Sequence, residues 1–408
     1  MQIPAYDVVI VGGGIAGLTL ALALLKKTSL SIALLETKKP SYPWSLSQYQ
    51  HRVSAISLAS QRIFQHLSCF LDMQAMRVSP FMHMHVWDEQ SQGEIFFDSN
   101  IVSEPELGFI IENHVIQQSV YNHIKHCSQI NIITECQLTM INVKEDAVYL
   151  TLKTGEHITA KLLVAADGTH SFVRDQVGIA CDQVDYEQLA IVATVQTELP
   201  HEKTARQVFL ADGVLAFLPL KDEHLSSFVW SLPAHAAKTW LACDESTFKQ
   251  ALAKNFSYRL GHIQDMSLRY SFPLQQLNAK QYVKGRVVLI GDAAHTIHPL
   301  AGQGVNMGLL DVASLTDVIL ADIQKGNLFP SVSSLRYYER WRKADHLALM
   351  TVVHEIRHLF SHHQKTTRML SSFGLNLINH TPSLKAMLIN HALGNRSGLP
   401  TMATAISF

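Results

Sequence analysis

Five cysteines in 408 residues (Cys69, Cys127, Cys136, Cys181 and Cys243) are odd in number, scattered, and contain no C-x-x-C pair. That excludes a disulfide frame and suits a reducing compartment, so a cytoplasmic location is expected. Excess charge is lacking too. Lys and Arg total 33 against 34 Asp and Glu, a net charge of -1, which rules out nucleic-acid binding by bulk electrostatics. The one long uncharged run near the N-terminus, Val8 to Leu25, has no basic residues before it and holds four glycines in its first ten positions. It reads as a buried strand followed by a buried helix, neither a signal peptide nor a membrane span. No Asp or Glu follows Glu355.

What remains is an ordinary globular composition, 47% apolar and 16% charged, in a chain long enough for two domains. DVVIV (7–11) is a short apolar run of the kind a doubly covered strand needs, and Gly12, Gly14 and Gly17 follow as G-x-G-x-x-G. Gly12 permits a tight turn, Gly14 admits a pyrophosphate, and Gly17 lets helix and strand approach. The helix N-terminus supplies free N–H groups for phosphate. SIALLE (31–36) ends in Glu36, nineteen residues past Gly17, at the distance that suits a ribose. A dinucleotide site is expected, without a choice between NAD and FAD.

RVSAISLASQRIFQHL (52–67) carries a helical pattern with Arg52 at its start, either a solvated arginine or a phosphate contact. Residues 109–125 place Val115, Ile116, Val120 and Ile124 at helical spacing, with Asn113 as the cap. AVYLTLKTGEHITAKLLVAA reads as a hairpin whose second strand runs into AADGTHSFVR (165–174). Asp167-Gly168 there is either a plain turn or a second acid delivered by a strand end. Residues 179–275 alternate Val-, Phe- and Trp-rich runs with polar turns, which predicts a separate antiparallel sheet.

VVLIGD (287–292) is a further strand, and Val305 opens a strongly apolar helix. The GDAAHTIHPLAGQG stretch between them (291–304) is stripped of large side chains just where that helix begins. A flat ring system whose anionic form is favoured by a helix N-terminus would account for this, and a flavin is such a ring. Asp292 is then placed to accept from ribityl hydroxyls.

With these residues in view, the sequence resembles the single-component FAD-dependent aromatic hydroxylases, the class A flavoprotein monooxygenases. The resemblance rests on GGGIAGL with Glu36, AADGTHSFVR and IGDAAHTIHPLAGQGVN, in that order, and extends through HRVSAISLAS, ENHVIQQ, ARQVFLADGVLAFLPL and VWSL. Within the class it is most similar to the ubiquinone-biosynthesis hydroxylases, closest to the 2-polyprenylphenol (VisC-like) branch. Two positions depart from the pattern: Gln50, where an acid is frequent, and Ala165, where glycine is.

The fold this implies is α/β. A Rossmann-like FAD-binding domain in three pieces (1–74, 99–178, 276–345) would carry an inserted, mainly antiparallel β-sheet substrate domain (75–98, 179–275) and a C-terminal helical segment (346–408). FAD is the implied cofactor. Glu36 would bind the adenosine ribose, Arg52 the pyrophosphate, Asn113 the flavin nucleotide, and Asp292 the ribityl chain. Asp167 would be shared between FAD and the reductant. The motifs add Gly12, Gly14, Ile15, Ala16, Gly17, Gly168, Arg174, Gly291, Ala293, Pro299, Gly302, Gln303, Gly304, Val305 and Asn306 as cofactor contacts. The implied chemistry is hydroxylation of a polyprenylated phenol by O2 through a C4a-hydroperoxyflavin, with NAD(P)H or another electron donor as the reductant. Catalytic roles fall to His295, His298 and Pro299 beside the flavin loop. A base near the ring is a hypothesis, since with 22 histidines in the chain a structural role is the commoner one. The alternatives are a flavin hydroxylase of a small soluble aromatic and a flavin-dependent isoprenoid reductase.

HEIRH (354–358) matches the H-E-x-x-H zinc pattern, but position 364 is Gln364 and no acid follows Glu355, so a third ligand is missing and no metal is expected. Arg357, Lys365, Arg368, Lys385 and Arg396 leave the tail basic. Its helix, opened by Thr381-Pro382 and closed by Gly394, either faces anionic lipid or a partner enzyme of a quinone-forming assembly, or packs on its own domain. The first choice would make the protein peripheral on the inner membrane.

Overall fold

The structure is a computed structural model; it describes residues 3–42, 44–45, 48–89, 93–297, 303–327, 330–361 and 381–405. Its first sheet has eight strands, and the main path runs Val283–Lys284, Val287–Leu289, His157–Ala165, Ala5–Val11, Ile32–Leu35, Ile130–Ile133. The pairings along it from Val287–Leu289 to Ile130–Ile133 are all parallel. Parallel strands are covered on both faces, which is why VVIV, IALL and LLVA are nearly unbroken apolar runs, buried throughout except for half-buried Val11 at the strand end. The helices Ile15–Lys27, Asn113–Ile124 and Gly304–Gln324 supply the cover. The expected hairpin is present, with Val148–Leu152 antiparallel to His157–Ala165 and Gly155 at φ +87° in its turn.

A second sheet of nine strands is antiparallel except where Thr204–Leu210 runs parallel to His83–Asp88. Its two faces differ in a way that the period of a strand explains. Phe228, Trp230, Leu215, Phe217 and Val208 point one way and form a second core with the helices Ala234–Ala242 and Glu245–Asn255. Their neighbours Ser227, Val229, Ser231, Val214, Ala216 and Gln207 point the other way, toward a cavity shared with the first sheet. The last strand of this sheet, His295–Thr296, is supplied by the small-residue stretch 291–304 itself: it pairs with Leu277 and Asn278.

A third, small antiparallel sheet joins Val53–Ile56, Gly108–Glu112 and Ser79–Phe81. Here two expectations need correction. The helical pattern of 52–67 begins as the strand Val53–Ile56, and the helix is only Leu58–His66, capped by Ser57, whose Oγ accepts the Ser60 N–H. β-branched residues and the waiting edge of Gly108–Glu112 outweigh the helical spacing. Asn113 is the first helical residue and not the cap, because the strand runs straight into the helix through Glu112.

The apolar helix Gly304–Gln324 has the length and composition of a membrane span, yet 67% of its apolar window is buried inside the protein. The last helix, Pro382–Leu393, is opened by Pro382 and closed by Gly394 in the left-handed region at φ +77°. It buries Ile389 and Leu393 on the protein, and Arg396 beyond it pairs with Asp345 at 2.7 Å. HEIRH lies on the helix Val332–Ser361, with its side chains outside the described residues, as are Lys365 and Arg368. Truncation of the second core should separate the two sheets energetically. Phe228→Ala is expected to lower unfolding stability by about 3–5 kcal/mol, measured by denaturant titration, while the folded fraction still binds FAD.

Candidate functional site

Register places the cofactor loops. Val11 pairs with Leu35 on one side and Ala165 on the other, and Ala165 pairs with Leu289. The parallel strands therefore all stop on one line, and Gly12, Glu36, Ala166 and Ile290 leave it together. A crevice at the carboxyl ends of parallel strands is where such sheets bind nucleotides.

The glycines at this edge divide into two kinds. A Cβ on Gly12 (φ +107°) would stand 2.3 Å from the Ala166 carbonyl oxygen, and one on Gly17 only 1.9 Å from that of Gly12. These two let the chain pack on itself. Among the described residues nothing lies within 4 Å of a Cβ on Gly14, Gly168 or Gly304; Gly168 sits at φ +83°, which itself favours glycine, and the bareness of the other two leaves room for something outside the chain. Glu36 accepts the Gly13 N–H at 2.6 Å and the Lys38 N–H at 3.0 Å, which fixes its carboxylate beside the first turn of the helix that Ile15 and Ala16 begin.

The small third sheet brings in Arg52 and Asn113. The Asn113 N–H donates to the Arg52 carbonyl at 3.0 Å, and the Asn113 side chain accepts from Ser54 Oγ at 2.6 Å. Gln50 is held by its own N–H on buried Glu112, which also receives Arg77 Nε at 2.8 Å. Asn306 Nδ2 donates to the Ala55 carbonyl, and its Oδ1 accepts the Ser57 N–H, so the start of Gly304–Gln324 is tied to this sheet.

Asp292 lies deep in the cleft with its side chain open to it. Burial pushes its carboxyl up, with His295 and Arg52 opposing. Asp167 lines the cavity too, but it accepts from Ser171 Oγ and the Val173 N–H and so also shapes its own loop. Burial raises its pKa and those hydrogen bonds lower it. Arg174 is not on the cavity wall. Its buried guanidinium donates to the Thr169 and Ala293 carbonyls, which makes it a tie between the second and third motifs. Arg52, Asn113, Gln303, Val305 and Asn306 do line the cavity. Gly291 and Ala293 are buried behind it, and His298, Pro299 and Gly302 lie outside the described residues.

His295 is likewise displaced from the expected catalytic position. Its ring is 1% exposed and Nε2 sits 2.6 Å from Asp311 Oδ2. Asp311 also accepts the Gly291 N–H at 2.9 Å and Arg342 Nε at 2.7 Å, with His346 Nε2 at 3.1 Å. Burial alone would raise the Asp311 pKa, but His295, His346 and Arg342 together hold it well below the carboxylate range. Burial and neighbouring His295 push His346 down to about 3. The two histidines and Asp311 are close enough to ligate a metal. The Arg342 guanidinium, also 3.0 Å from His346 Nε2, takes up the cation's place. None of the cluster except His295 is singled out by the sequence. The available signal was an acid, Asp311, on the buried face of an apolar helix.

The cavity these loops open onto has a volume of about 680 Å3. Phe81, Met84 and Phe97 form one flank, the small and apolar face of the second sheet another, and Leu388, Ile389, Ala392 and Leu393 of the last helix close it. An engineered cavity of about 150 Å3 already holds benzene, so there is room for far more than one ring.

Comparison with known proteins names the cofactor and the reaction class. The FAD binding domain family matches residues 5–349. The chain belongs to that family. It is an FAD-dependent monooxygenase. It is 33% identical to the 3-demethoxyubiquinol 3-hydroxylase of Escherichia coli over 388 residues, 95% of this chain and 98% of that protein. It is 32% identical to the ubiquinone hydroxylase UbiL of Rhodospirillum rubrum (95% of this chain, 89% of that one). The same identity holds with the human mitochondrial ubiquinone biosynthesis monooxygenase COQ6 (95% and 92%). The fold is that of the p-nitrophenol 4-monooxygenase PnpA of Pseudomonas putida, with TM-score 0.77 at 18% identity, covering 96% of this chain and 99% of that one.

FAD fits the residues present: three open glycines, the N-termini of Ile15–Lys27 and Gly304–Gln324, and the carboxylates of Glu36 and Asp292 near the same strand ends. Gly304→Leu is expected to leave the apo protein's melting within experimental error, since its Cβ meets no atom of the described residues, while FAD affinity falls at least about tenfold, or 1.4 kcal/mol, by fluorescence titration. The cluster behind the turn gives a pH signature. Below pH 6.5 the unfolded chain protonates His346 and the native chain does not, so this group's contribution to stability declines from pH 6.5 down to about 3. Its slope is at most about 1.4 kcal/mol per pH unit, and His346→Gln should reduce the pH slope of the measured unfolding free energy by up to that amount between pH 6 and 4.

Proposed function

We propose that this enzyme hydroxylates the aromatic ring of a polyprenylated phenol in ubiquinone biosynthesis. The observation that carries the reading is the lining of the cavity, which joins Asp292 and the start of the Gly304 helix to an apolar patch of Leu388, Ile389 and Leu393. A chamber with a polar seat and an extended apolar lining suits a ring with a long hydrocarbon substituent. The names of the relatives agree with it.

FAD, when bound, supplies activation of O2 and delivery of one oxygen atom, with NAD(P)H as the proposed electron source. The chain's residues do the rest. Glu36, Arg52 and Asn113 would hold the nucleotide, Asp292 the sugar alcohol, and the N–H groups opening Gly304–Gln324 would favour negative charge on the ring facing them. The apolar chamber excludes water from that ring. His298 is proposed as the group that takes the phenol proton, with Pro299 stiffening its loop. His295 is withdrawn from that role because Asp311 holds it behind the turn. A substrate with a prenyl tail resides in a membrane, so peripheral attachment to the inner membrane and association with other enzymes of the pathway belong to the same proposal.

Quinone profiling of a strain lacking the gene tests the reading. Accumulation of an unhydroxylated polyprenylphenol is expected, and a normal quinone pool would defeat it. His298→Ala should keep its FAD and lose hydroxylation on the order of a hundredfold. Unchanged turnover would remove His298 from the mechanism.

A further inference from the structure

The wall that the second sheet presents to the chamber is made of small and apolar side chains, Val192, Ala205, Val214, Ala216 and Val229 among them. Three polar side chains interrupt it on the strands Thr204–Leu210 and Leu225–Pro233, while Gln275 and Thr296 line it from the strands nearer Asp292. Gln207 stands in register with Ala216, and Ala216 with Val229, so the glutamine lies level with the middle of the wall, two strands from Val229. Ser227 and Ser231 sit two residues before and after Val229 on the same face. All three are more than nine-tenths buried. None gives its side chain to a hydrogen bond with another described residue, and all three line the chamber. A core that needed only packing would carry no amide here, since a buried amide without a partner costs about 1–3 kcal/mol.

The wall also lacks charge. Among the described residues, no Asp, Glu, Lys or Arg of the second sheet or of the last helix lines the chamber. Its charged members, Arg52, Asp167 and Asp292, are all on the cofactor loops. A carboxylate carried on the ring would meet no cation belonging to this wall; Arg52, whose guanidinium lies 5.7 Å from the centre of the Phe272 ring, comes from the cofactor side, and burying a carboxylate away from it is costly. An uncharged oxygen would meet the Gln207 amide, which can both donate and accept.

We propose that Gln207 is a substrate-orienting residue. Its amide hydrogen-bonds an uncharged oxygen substituent of the ring, Ser227 and Ser231 supply the flanking hydroxyls, and the subsite selects rings without a carboxylate. It follows that any carboxyl group on a precursor ring is removed by a decarboxylation before the ring reaches this enzyme. The inference rests on the chamber being the substrate site of a ring hydroxylase, though not on which prenylated phenol the cell supplies.

The test uses FAD-loaded protein and three probes read by perturbation of the flavin absorbance: 2-allylphenol, allylbenzene, which lacks the oxygen, and 3-allyl-4-hydroxybenzoate, which adds a carboxylate. Wild type is expected to bind 2-allylphenol at least about tenfold more tightly than either of the others. Gln207→Leu should erase the preference over allylbenzene while leaving allylbenzene affinity unchanged, and Gln207→Asn should restore part of it. Turnover with 2-allylphenol should show more peroxide released per NAD(P)H oxidised in Gln207→Leu, because a misoriented ring is missed. Should Gln207→Leu fail to retain FAD, Gln207→Met and Ser231→Ala carry the same comparison. Equal phenol affinity in wild type and a flavin-loaded variant overturns the proposal, as does tight binding of the benzoate by wild type. Both results are independent of the quinone profile, so the failure of one reading is distinguishable from that of the other.

Discussion

A single carboxylate, Asp311, anchors the flavin turn. It has no exposure to solvent and is satisfied by Arg342, by His295 and by the backbone N–H of Gly291. Gly291 is in the left-handed region at φ +57°, and a Cβ there would be 3.4 Å from that of Ala16. The third motif is thus clamped from behind by Asp311 and faced from in front by the first helix. Buried ion pairs of this kind add little net stability against an apolar replacement, yet removing one partner is severe, because the others are left charged and dry. What the cluster contributes is position: it holds a polar turn, with Asp292 aimed into the cleft, at the end of the strand Val287–Leu289, whose three side chains are all apolar and buried.

The second sheet solves a related problem with the simplest property of a strand. Alternate residues of Leu225–Pro233 read Phe228, Trp230, Leu232 on one face and Ser227, Val229, Ser231 on the other. The large residues go to a core of their own and the small ones to the chamber. One stretch of chain therefore provides rigidity and empty space at once. A chamber of this size stays open because its wall has been made thin in side chains while its back has been packed hard.

Much of the cofactor half was legible in sequence. Glycine spacing, strand-end acids and unbroken apolar runs are local signals, and they placed Gly12, Gly14, Gly17, Glu36, Asp292 and the parallel strands. The length of Asn113–Ile124 and the ends of Pro382–Leu393 were legible for the same reason. Long-range relations were not. That Val53–Ile56 pairs as a strand depends on an edge more than fifty residues away, and that Arg174 faces Ala293 depends on two motifs meeting. His295 stood beside the right loop and was read as catalytic, but its partner Asp311 comes from the following helix and turns it inward. Gln207 carried no signal at all, since a glutamine in a strand is unremarkable until its face is known.

The pairing of His295 and Thr296 with Asn278 and Leu277 joins the two halves of the molecule by main chain. Only two residues separate the Asp292 carboxylate from that edge strand, so the floor of the chamber and this carboxylate lie on one continuous ribbon. A bulky occupant that shifted the sheet would tug this ribbon and carry Asp292 with it.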